Sequence, residues 1–146
     1  MTKLIKRKSI KDDLWRKRTP IMRSQVELFC DLIDDLCESY AGARTSALSD
    51  QRAYHRFVSG AYALGFVCTD LAHNGRALER AIADERWIES RSFLELRRYV
   101  HTLLRAERWS HDGVEDGLGH IEKALRFGVL RRVARRLRRE LSCEGM

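Results

Sequence analysis

Apolar residues in this chain recur at intervals of three and four and almost nowhere alternate. That spacing puts them on one side of a helix, because 3.6 residues complete a turn, whereas a half-buried strand needs a period of two. The first stripe is Met22, Val26, Phe29, Ile33, Leu36 and Tyr40, with Glu27, Asp31, Asp34, Asp35 and Glu38 on the other side. The last is Leu130, Val133, Ala134, Leu137 and Leu141. No Asn-Gly or Asp-Gly pair separates β-branched runs, so a hairpin has no turn signal. The pattern predicts an all-α protein, a compact single-domain bundle of five or six short helices. The helical domain covers residues 19–146 and follows a flexible basic arm over residues 1–18. A chain of 146 residues can close one core without staples.

Punctuation divides the domain. Thr19-Pro20 reads as a helix start, with Thr as N-cap and Pro at the first helical position, and Gly42 ends that helix. A second helix begins near Ser49 or Asp50, carries Ala53/Tyr54, Phe57/Val58, Ala61 and Leu64 inward, and stops at Gly65 before Phe66 and Val67. A third follows Asn74-Gly75 with Leu78, Ile82 and Trp87. Ser92-x-x-Glu95 is a capping box ahead of Phe93, Leu96, Val100, Leu103 and Leu104. Asp112 is placed to cap a fifth helix with Val114, Leu118, Ile121 and Leu125 inward, ended by Gly128, and a sixth runs from Val129.

Charge is concentrated at the two ends. Residues 1–18 hold eight Lys/Arg against two Asp, and residues 126–146 seven Arg against two Glu. The segment between them has thirteen basic and seventeen acidic residues, so the formal +7 belongs to the ends. On the last helix, Arg131, Arg132, Arg135, Arg136, Arg138 and Arg139 lie opposite the apolar stripe. Guanidinium groups suit phosphate because they donate paired hydrogen bonds and keep their proton. Such a face fits nucleic acid, an acidic protein or an anionic membrane. It also fits internal pairing with the acidic first helix, and the sequence leaves both readings open. In the arm, Lys6, Arg7, Lys8, Arg16, Lys17 and Arg18 add sequence-independent attraction for a polyanion or simply solubilise the tail. Trp15 among them serves either to stack on a base or to anchor the arm.

Catalytic chemistry has no signature here. There is no phosphate-cradling glycine loop, no nucleophile elbow and no carboxylate pair with an acid/base logic. Asp116 and His120 share a helix face, but no further ligands accompany them, so neither a metal nor a cofactor is expected. The turn Arg105-Ala106-Glu107-Arg108-Trp109 reads as a structural corner in which arginine ties loop carbonyls. Cys30, Cys37, Cys68 and Cys143 form no C-x-x-C pair, and Cys30 and Cys37 fall on the first apolar stripe as small hydrophobes. Reduced thiols, the absence of a secretory h-region and the absence of a membrane span point to the cytoplasm. The length of the first stripe makes a homodimer through that helix an expectation.

Three phrases carry a family likeness: AYALGFV at 61–67, LELRRYVHTLLRAERW at 94–109 and ALRFGVLRRVARRL at 124–137. Through them, residues 57–137 resemble a family of small helical proteins of bacteria and their mobile elements, described only as a domain of unknown function. The family's aromatic-Asp-Trp segment is not kept, since Asp70 lies between Thr69 and Leu71. The resemblance implies a helical scaffold and transfers no reaction. Together with the basic ends and small size, it gives the expected function. That function is a non-enzymatic interaction protein that occludes a host protein or nucleoprotein complex, as anti-CRISPR inhibitors of defence systems do. The alternative is a DNA- or RNA-binding regulator that uses the Arg-rich helix.

Overall fold

The computed structural model describes residues 21–42, 47–67, 75–109 and 119–144. Six α-helices and no strand occur among them: α1 (Arg23–Gly42), α2 (Arg52–Ala63), α3 (Arg76–Ala83), α4 (Phe93–Trp109), α5 (His120–Arg126) and α6 (Val129–Glu144). Short 3₁₀ turns at Leu48–Asp50 and Ile88–Ser90 precede α2 and α4. The all-α expectation is correct. The basic arm, the Thr19-Pro20 start and the Asp112 cap with Val114 and Leu118 lie outside the described residues.

Two helix boundaries differ from the sequence expectation, each for a local reason. Helix α1 opens at Arg23, behind Met22, rather than at Pro20. The Met22 N–H donates to Gln25 Oε1 at 2.7 Å, while its carbonyl accepts from the Gln25 and Val26 amides. This is the reach-back half of a capping box, made by a residue with no N-cap signature. Helix α3 ends at Ala83, so Trp87 belongs to the following turn, where Arg91 lies 4.8 Å over its ring.

Other boundaries follow the sequence signals. Ser92 and Glu95 form both halves of the capping box, at 3.1 and 3.2 Å. Gly65 adopts φ +87°, with Phe66 N–H donating to Ala61 and Gly65 N–H to Tyr62. These are the paired bonds of a Schellman stop, which needs the left-handed conformation that glycine accepts. Arg97 of α4 then clamps the turn by donating Nε and Nη2 to the Gly65 carbonyl, at 3.1 and 2.9 Å.

The core is a single cluster to which every helix contributes. Helix α1 packs chiefly on α6 and α2. Phe29 stacks on Phe66 and Phe57, with ring centroids 4.1 and 5.5 Å away. The buried face of α1 is Val26, Phe29, Cys30, Ile33, Leu36 and Cys37, while Met22 is exposed and Tyr40 half-buried. Most of the stripe expected to serve a homodimer is thus covered by the chain's own helices, with Met22 and part of Tyr40 left exposed. Among the described residues, no helix is long and apolar enough to cross a membrane.

Candidate functional site

Helix α6 buries Val129, Leu130, Val133, Ala134, Leu137 and Leu141, and its arginines divide into three bands around the remaining surface. One band faces α1. Arg138 donates to Asp34 Oδ2 at 2.6 Å and to Asp31 Oδ1 at 3.2 Å, and its pKa is raised first by the hydrogen bond it donates to Asp34. Cys30 Sγ lies 3.7 Å from the Ala134 carbonyl, and Arg131 hydrogen-bonds Cys37. Tyr40 and Cys37 neighbour Arg126 and Arg131, whereas Cys30 and Asp31 neighbour Arg138, so the two helices run antiparallel.

The second band faces the turn between α3 and α4. Arg132 Nη2 lies 3.7 Å from Glu85. Arg136 Nε and Arg139 Nη2 both donate to the Glu89 carbonyl at 3.2 Å, and Arg136 also pairs with Glu140 of its own helix. The internal-pairing expectation is therefore met in part by α1 and in larger part by Glu85 and Glu89. Sequence reading missed those two because they sit past the end of a helix rather than on an acidic face.

Between the bands lies a crest. Arg131, Arg135 and Arg139 are exposed and four residues apart, about 6 Å per step along a helix. The Arg135 side chain is 69% exposed, with Glu89 at 3.8 Å as its ion-pair partner. Of the six C-terminal arginines in the predicted surface, these three and Arg138 are exposed, whereas Arg132 and Arg136 are half-buried. Arg126 and Phe127, the latter 51% exposed, extend the surface at the turn before α6. Lys6, Arg7, Lys8, Arg16, Lys17 and Arg18 lie outside the described residues.

The loop carbonyls that an arginine was expected to tie after α4 lie outside the described residues. Glu107 makes a tie at this corner: its carboxylate accepts from the Tyr54 hydroxyl at 3.0 Å and from the Ile121 N–H at 3.2 Å. Burial, followed by the Glu107 charge and hydrogen bond, pushes the Tyr54 phenol well above its ordinary value. Gly119, the N-cap of α5, admits the carboxylate, since a Cβ there would lie 2.7 Å from Glu107 Oε1. Arg105 Nε is buried and has no hydrogen-bond partner among the described residues.

Cys30 and Cys37 are buried between α1 and α6. Burial, partly offset by Arg138, pushes the Cys30 thiol up to about 11. Burial also raises Cys37, against the effect of Arg131. Both are neutral packing groups at ordinary pH. Among the described residues, no three His, Cys, Asp or Glu side chains gather as a metal site. No family model, curated protein or solved structure matches the chain.

Proposed function

We propose that the protein is a non-catalytic interaction module that docks the α6 crest on the phosphate backbone of nucleic acid within a host nucleoprotein complex. One observation carries this reading. Arg138, Arg132 and Arg136 are engaged by Asp31, Asp34, Glu85 and the Glu89 carbonyl, while Arg131, Arg135 and Arg139 keep an exposed face on a core-packed helix even though Glu89 also meets Arg135 and Arg139. Flank pairing fixes the helix, and the crest supplies forked donors at regular spacing. Such contacts position a protein on a polyanion without reading its sequence. The likeness to small mobile-element proteins expected from the sequence of residues 57–137, which no family model matches, is the ground on which we extend the proposal to a defence complex of the anti-CRISPR-inhibited kind.

Fluorescence anisotropy with labelled duplex DNA and single-stranded RNA, repeated over a range of salt, tests the phosphate contact. Binding should be present at about 50 mM salt and fall by orders of magnitude toward about 200 mM. Absence of salt-sensitive binding to either probe at the lower salt removes the proposal.

A further inference from the structure

The α1–α6 pair displays two parallel strips of opposite charge. The outer face of α1 carries Glu27, Asp31, Asp35 and Glu38, all exposed. The outer face of α6 carries Arg131, Arg135 and Arg139. Among the described residues, Asp35 and Glu38 have no ion-pair partner, and Glu27 meets only Arg23 of its own helix at 3.5 Å. The two strips are also in step. Cys37 beside Arg131 and Asp31 beside Arg138 place Glu38 level with Arg131, Asp35 with Arg135 and Asp31 with Arg139, each to within about a turn.

We propose that this two-strip face binds a second copy of the same chain, acidic α1 of each protomer lying on the arginine crest of the other. The charge complementarity and the shared register carry the proposal. A two-fold axis running between α1 and α6, parallel to both, lays α1 over the partner's α6 and α6 over the partner's α1. It preserves level along the axis, so Glu38, Asp35 and Asp31 each face the arginine beside which they already lie in their own chain. A two-fold interface is self-complementary in this sense: if residue i meets residue j, then j meets i. The orientation repeats the antiparallel packing inside the chain, where Arg138 with Asp31 and Asp34 shows that these side chains reach across. Leu28, 55% exposed on α1, is the apolar group nearest the strip. With so little apolar surface the association is weak and sensitive to salt. A dimer built this way hides the crest, so a polyanion and a second copy compete for it. The pairing itself does not depend on the phosphate reading, and it is tested without nucleic acid.

Sedimentation velocity of the full chain measures it directly. At about 20 mM salt the species should shift with concentration toward twice the 17.0 kDa chain mass, and at about 500 mM, where the screening length is only a few ångströms, it should return to monomer. The double variants Asp35→Arg/Glu38→Arg and Arg131→Glu/Arg135→Glu should each be monomeric alone, because positions 35 and 38 then face positions 131 and 135 with charge of the same sign. Mixed, they should form a 1:1 heterodimer in which both halves of the interface attract. Circular dichroism confirms that each variant retains its helices. If either does not fold, the wild-type salt series together with Asp35→Ala and Arg135→Ala decides, each alanine variant weakening association. A wild-type chain that stays monomeric at low salt overturns the proposal. So does a dimer that survives high salt or survives in both charge-reversed variants, or a mixture of folded variants that fails to associate.

Discussion

Arg138 and Asp34 meet at 2.6 Å across 104 positions of sequence, joining the last helix to the first. The pair stands at the edge of the core, with side chains 44% and 47% exposed, so solvent screens it. Arg138→Ala should cost no more than about 1 kcal/mol, the range of exposed ion pairs. The loss should shrink further at high salt. Chemical denaturation at two salt concentrations checks both expectations.

Glu107 is the more expensive residue to remove. Its carboxylate satisfies the Tyr54 hydroxyl and the Ile121 amide together, tying α2, α4 and α5 at one point. Glu107→Ala leaves both donors unsatisfied and should destabilise by roughly 2–4 kcal/mol, taking about 1–2 kcal/mol for each bond lost. Gly119→Ala should act through the same contact, since its Cβ enters the space of the carboxylate. The double variant should therefore be less unstable than the sum of the two single changes. Thermal or urea unfolding of the four chains measures the coupling.

The thiols predict an alkaline limit to stability. Cys30 is raised by burial from an ordinary 9.0 to about 11, so the folded chain holds its proton where the unfolded chain has lost it. The contribution is fully present below pH 9 and is lost as pH rises through about 11. Unfolding free energy should fall across that window, and the fall should be shallower in Cys30→Ala once its lower starting stability is allowed for. At neutral pH the thiol should be slow to react with a disulfide reagent until the protein unfolds.

Most of the scaffold was legible because its signals are local. Ser92 and Glu95, Gly65, Gly128 and the α6 stripe Leu130 to Leu141 each state their role within one or two turns. The start of α1 was not, because Gln25 caps Met22 without the usual N-cap residue. The arrangement of the α6 arginines was half legible. Periodicity separated them from the core, and the acidic face of α1 pointed to the pairing that Arg138 makes. Nothing in sequence distance shows that the turn after α3 returns to α6 and places Glu85 and Glu89 against Arg132, Arg136 and Arg139. That is a tertiary relationship, and it determines which arginines remain for a partner. The corner role of Glu107 was obscured for the same reason, since both of its donors come from other helices.

The central claim concerns three side chains, so the most direct measurement compares salt slopes of nucleic-acid binding. The chain Arg131→Ala/Arg135→Ala/Arg139→Ala should retain its helices, because these residues lie outside the core. Each phosphate contact on duplex DNA contributes about 0.9 to the slope of log affinity against log salt, so the triple variant should lose roughly 3 units of slope along with most of its affinity. A folded triple variant that binds with the wild-type affinity and slope would contradict the account.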